Sequence, residues 1–113
     1  MKWSLYIDDE RSPKTRANWK VARSSKEAFS LIKELGCPEH ISFDHDLGCD
    51  AYGVTLPTAY DFAKELGECL LKNELILPNN FTFNVHSANP LGAENIRSYM
   101  TNLLKHLKLN KRD

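Results

Sequence analysis

Ile41-Ser42-Phe43-Asp44-His45-Asp46-Leu47-Gly48 is a short apolar run that passes directly into two carboxylates flanking an imidazole, then breaks at a glycine. It reads as a strand followed by an acidic loop. In open α/β sheets ligands bind beyond the carboxyl ends of the strands, so such a cluster is placed for chemistry. The same stretch also reads as an ordinary turn leaving a strand, because Asp and Gly are common turn residues. Two other apolar runs end in the same manner and weigh for chemistry. Tyr6-Ile7 leads into Asp8-Asp9-Glu10-Arg11, and Asn84-Val85 leads into His86-Ser87-Ala88-Asn89-Pro90.

Working outward, Trp3 to Ile7 alternates and is rich in aromatic and β-branched residues, which predicts a strand. Ser12 to Asn18 has no helical stripe and reads as a loop, and Trp19 to Arg23 as a second strand. Ser24 and Glu27 have capping-box spacing. Behind them Ala28, Leu31, Ile32 and Leu35 recur at helical spacing, and Gly36 closes the helix. A second helix is expected to start near Thr55 or Leu56, with Pro57 in its first turn and a stripe of Ala59, Phe62, Ala63, Leu66, Cys69 and Leu70. Phe81 to Val85 is the fourth strand. Asn89 reads as an N-cap before Pro90, and Ile96, Met100, Leu103, Leu104 and Leu107 form the last stripe. Strands alternating with helices predict an α/β sandwich of about four mostly parallel strands in the order 2-1-3-4.

With 113 residues the chain fits one domain, placed at 1–107, with a short basic tail over 108–113. Fifteen basic residues balance fifteen acidic ones, so no overall field draws the protein to duplex DNA or an anionic membrane. No apolar run is long enough to span a bilayer and no leader pattern is visible, so a cytoplasmic location is expected. Three cysteines without Cys-x-x-Cys spacing argue against a disulfide framework and a structural zinc site. Cys69 is expected in the core, and Cys37 and Cys49 in loops.

The order 2-1-3-4 brings the ends of the first, third and fourth strands together. Asp8, Asp9 and Asp44 then form an oxygen-rich set suited to a hard divalent ion, magnesium or manganese, with Asp46 beside them. His86 is expected to transfer protons. His45 is either a second such group or a residue bracing the sheet from behind. Ser87, the helix N-terminus at Asn89, and Gly92 in the first turn would receive phosphate oxygens, with Arg11 clamping from the opposite side.

Taken together, Leu5 to Arg11, Phe43 to Gly48 and Val85 to Ile96 resemble the cyclic-phosphate-processing receiver-like domains, a family met in bacteria and phages. The resemblance implies a receiver-like (flavodoxin-like) three-layer sandwich. It also implies action on a nucleotide or RNA end bearing a cyclic phosphate. Asp8 and Asp9 look like the acidic pair of receivers, Asp44 like their phosphoacceptor and Ser87 like their hydroxyl residue. The chain departs from signalling receivers in three ways: a loop replaces the first helix, no fifth strand follows, and His45, Asp46, His86 and Asn89 are added. These departures argue against an ordinary phosphorelay switch and for an enzyme or a nucleotide-binding site, and the two histidines favour a metal-assisted phosphoesterase. The alternatives are a non-catalytic module that binds a nucleotide or protein partner, and phosphoryl transfer to Asp44.

Overall fold

The computed structural model describes residues 3–8, 19–44, 58–86 and 90–110, with side chains as far as 107. Four short parallel strands are described: β1 (Ser4–Ile7), β2 (Trp19–Ala22), β3 (His40–Phe43) and β4 (Thr82–Val85). They lie side by side as β2-β1-β3-β4, the expected order, all running the same way. The described helices are α1 (Ser25–Leu35), α2 (Ala59–Leu71) and α3 (Pro90–Asn110).

Period-2 alternation gives the sheet two unlike faces. Leu5, Ile7, Ile41 and Phe43 are fully buried on one face, in a single core with Ala28 and Ile32 of α1, Phe62 and Leu66 of α2, and Ile96 and Met100 of α3. Phe62 is at its centre, its ring 5.1 Å from that of Phe29 and 6.1 Å from that of Phe43. Burying one such side chain is worth about 1.5–3 kcal/mol. The other face carries Tyr6, Trp19, His40, Ser42, Thr82 and Asn84, which contact one another. The three described helices all belong to the first core, so they supply one helical layer. Crossover handedness explains this. The steps β2 to β3 and β3 to β4 run in the same direction, so right-handed connections put both helices on one face. The β1-to-β2 step runs the opposite way, and its connection, 9–18, lies outside the described residues.

The helix ends sharpen the sequence reading. Ser24 caps α1, its Oγ accepting from Glu27 N–H at 3.1 Å. The Glu27 carboxylate accepts from Arg23 N–H at 2.9 Å rather than from the cap residue, so half of the expected capping box is displaced by one residue. Gly36 closes the helix at φ 85°, where a side chain would be strained, and donates to Ile32 O at 2.8 Å. The second helix begins at Ala59, later than the expected Thr55 or Leu56, and Pro57 lies outside the described residues. Thr58 and Asp61 form a full capping box that fixes its start. Cys69 is half-buried at the edge of the core, while its neighbours Leu66 and Leu70 are buried. The last helix continues to Asn110, taking in the first three residues of the expected tail. No described helix is long and apolar enough to cross a membrane.

Candidate functional site

The strand registers dictate what stands at the carboxyl edge of the sheet. Ile7 is level with Ala22 and Phe43, and Phe43 with Val85. One step further, Arg23, Asp8, Asp44 and His86 therefore form a row across β2, β1, β3 and β4. Backbone bonds carry the ladder through that row: Asp8 N–H donates to Ala22 O at 3.1 Å, Asp44 N–H to Ile7 O at 2.9 Å, and His86 N–H to Phe43 O at 2.8 Å. By alternation all four side chains leave the sheet on the face opposite the helical core.

The imidazole of His86 does not stand upright in this row. It leans back across β3 to reach β1, where its Nε2 lies 2.9 Å from Asp8 Oδ2. Its Nδ1 lies 2.7 Å from Ser42 Oγ, and its ring stacks on Tyr6 at 4.6 Å and 10°. Asp8 is 1% exposed and Asp44 7%, so two carboxylates are buried at neighbouring strand ends. Buried charge is costly unless partnered. Asp8 has the imidazole on its carboxylate, and the Arg23 guanidinium donates to its backbone carbonyl at 3.3 Å.

Asp8, Asp44 and His86 are thus brought together as expected. Gly92 is buried in the first turn of α3. Asp9, Arg11, His45, Asp46, Ser87 and Asn89 lie outside the described residues, as does Cys49. Arg23, Ser42, Asn84 and Tyr6 belong to the site's surroundings and were not among the expected residues. The signal for Tyr6, Ser42 and Asn84 is the same alternation that places Asp8, Asp44 and His86, continued one step back along each strand, and Arg23 is the β2 member of the row itself. Burial pushes the Cys37 thiol up to about 12, which disfavours the thiolate a nucleophile needs. Among the described residues no three His, Cys, Asp or Glu side chains form a group able to hold a metal ion. A groove of about 1090 Å³ lies between α1 and α2 and is lined by residues such as Phe29, Lys33 and Glu65. It shares no residue with the strand ends, so chemistry rather than volume marks the site.

No curated protein matches the chain. A solved structure described as the yeast Spc42 trimeric coiled coil, amino acids 181–211, fused to another structure is similar. It is 17% identical, with a TM-score of 0.50, over 97% of this chain and 81% of that one. At that identity the likeness speaks for the fold alone. The model of the cyclic-phosphate processing receiver domain matches residues 3–102, a span that holds the whole sheet, α1, α2 and most of α3. On that match the chain belongs to the cyclic-phosphate processing receiver domain family.

Proposed function

We propose that this protein hydrolyses a cyclic phosphate carried by a nucleotide or by the end of an RNA. The observation that supports it most is the Asp8–His86 pair at 2.9 Å, set beside Asp44 at the ends of three adjacent parallel strands. In the reaction one water adds to phosphorus, one ring P–O bond breaks, and the departing sugar oxygen takes up a proton. His86 relays that proton from the adding water to the departing oxygen at Nε2, the nitrogen turned toward the Asp8 carboxylate, while Nδ1 is closed off by Ser42. Asp8 orients the ring through its bond to Nε2. In this reading Arg11, Ser87, Asn89 and Gly92 receive the phosphate oxygens, and His45 and Asp46, which follow Asp44 in the sequence, assist.

Asp8 and Asp44 fit a hard divalent cation, since magnesium is commonly held by one or two carboxylates together with substrate phosphate oxygens. Asp9 would complete the set. Bound there, magnesium or manganese supplies positive charge to the phosphoryl oxygens.

One observation favours a non-catalytic nucleotide-binding module instead: both ring nitrogens of His86 already have partners. His86→Gln and His86→Ala separate the two readings. Loss of a proton-transfer group costs about 10²–10⁴-fold in rate. Turnover of a cyclic-phosphate substrate should fall by that order, with the dissociation constant nearly unchanged and a melting curve showing folded protein. Full turnover in a folded variant would remove His86 from the chemistry.

A further inference from the structure

We infer that Thr82, His40, Asn84 and Ser42 form a positioning chain that fixes which nitrogen of His86 carries the proton. The inference rests on His86 being the proton-transfer residue of the proposed reaction.

The chain climbs the open face of the sheet between β3 and β4. His40 is level with Thr82, and Ser42 with Asn84. Side chains directly opposite and diagonal on one face are within reach of one another. The links alternate between those two relations: Thr82 Oγ1 to His40 Nδ1 at 2.7 Å, His40 Nε2 to Asn84 Oδ1 at 2.6 Å, Asn84 Nδ2 to Ser42 Oγ at 3.0 Å, and Ser42 Oγ to His86 Nδ1 at 2.7 Å. His86 Nε2 to Asp8 Oδ2 is the last link. Among the described residues no buried side-chain nitrogen or oxygen lacks a partner.

The direction of every bond follows from its final acceptor. A carboxylate can only accept, so the proton of the neutral His86 ring belongs on Nε2. Nδ1 then offers a lone pair, and the Ser42 hydroxyl must donate to it. Ser42 Oγ is in turn free to accept from the Asn84 amide. Asn84 therefore presents its carbonyl oxygen to His40, whose Nε2 donates, and His40 Nδ1 accepts from Thr82. All five donors point toward Asp8. One buried charge sets the polarity of the whole chain, and the chain in return opposes a proton on Nδ1. The rings are braced as well: Tyr6 stacks on His86, and the Trp19 ring meets His40 edge-on at 5.7 Å.

This is an orienting device and not a proton wire, because an amide at Asn84 does not pass protons along. Nor is Ser42 an attacking nucleophile, although serine, imidazole and carboxylate are joined in triad order. Its oxygen is in a residue 3% exposed and already takes the Asn84 N–H. Ser42, Asn84, His40 and Thr82 are positioning residues.

Long-range proton–nitrogen NMR correlation on the ligand-free protein tests this, at a pH where the parent ring is neutral. The parent should show His86 protonated on Nε2 and bare on Nδ1. Asn84→Asp replaces the amide donor by an acceptor and reverses the chain. Ser42 then donates to residue 84 and accepts from His86, so Nδ1 should become protonated. In the double variant Ser42→Ala, Asn84→Asp the link is cut and the Nε2–H pattern should return. A melting curve for each variant shows whether it is folded. A parent bearing the proton on Nδ1 would overturn the inference. So would a folded Asn84→Asp with Nδ1 still bare, or an effect that survives Ser42→Ala and so acts through space. The readout needs no substrate, so the two claims fail separately. The expected nitrogen pattern without turnover would sink the hydrolase reading alone, and turnover with the opposite pattern would sink the chain alone.

Discussion

Ser42→Ala tests the polar face of the sheet through stability. The substitution deletes a hydroxyl in a residue only 3% exposed and cuts the bonds to His86 Nδ1 and Asn84 Nδ2. The two losses are unequal. Asn84 is exposed, so water replaces the serine there at a cost of about 0.5 kcal/mol or less. His86 is only 17% exposed and pinned between Tyr6 and Asp8. Removing the Ser42 hydroxyl from its Nδ1 costs about 1–3 kcal/mol. The sum is about 1–3.5 kcal/mol, which for a domain of this size lowers Tm by roughly 4–14 °C. Thr82→Val is the matched control, because it removes an equally short bond to His40 at an exposed position. It should cost about 0.5 kcal/mol or less, near 2 °C. Thermal and urea unfolding of parent and both variants, without ligand and at one pH, supplies the comparison. Equal losses for the two variants, or a Ser42→Ala loss under about 0.5 kcal/mol, would refute the claim that burial decides the worth of each link.

Three further outcomes are expected. Gly67→Ala should destabilise by about 1–3 kcal/mol through overpacking between α2 and α3, since an added Cβ would overlap the Tyr99 hydroxyl and approach ring carbons at 3.0 and 3.1 Å. The loss should shrink in a Tyr99→Phe background in denaturant titrations. Burial raises the Cys37 thiol from 9.0 to about 12, so the folded state holds that proton more tightly than the unfolded chain. Its contribution is complete below about pH 9 and is lost as pH rises toward 12, so melting across that window should show the parent losing ground against Cys37→Ala. Asp44→Asn should keep the fold and weaken magnesium and manganese binding in calorimetry. Unchanged affinity in the variant, or none in either protein, would contradict a metal role.

The parallel sheet and its order are legible in the sequence because each apolar run is short and bounded by turn residues, and helical stripes of the right length follow the second, third and fourth runs. Asp8, Asp44 and His86 are legible because each follows directly on such a run. The helix starts are less so: the proline at 57 draws the eye toward an earlier start, whereas the capping box of Thr58 and Asp61 sets the boundary. Ser42, Asn84 and Arg23 are hidden for a different reason. Each is an unremarked polar residue within or just after a strand, and its partner is supplied by register rather than by sequence spacing. Ser42 and His86 are 44 residues apart in the chain and meet because Phe43 is level with Val85. The single helical layer among the described residues follows from topology, since consecutive right-handed crossovers in one direction stack on one face.

The most direct test of the proposed function is phosphorus NMR on the protein incubated with cyclic nucleotides and cyclic-phosphate-ended RNAs, with and without magnesium or manganese. The account predicts that at least one cyclic resonance is replaced by that of an opened phosphomonoester, faster with the cation and largely lost in His86→Gln. Tight binding of these compounds with every cyclic resonance intact would contradict it.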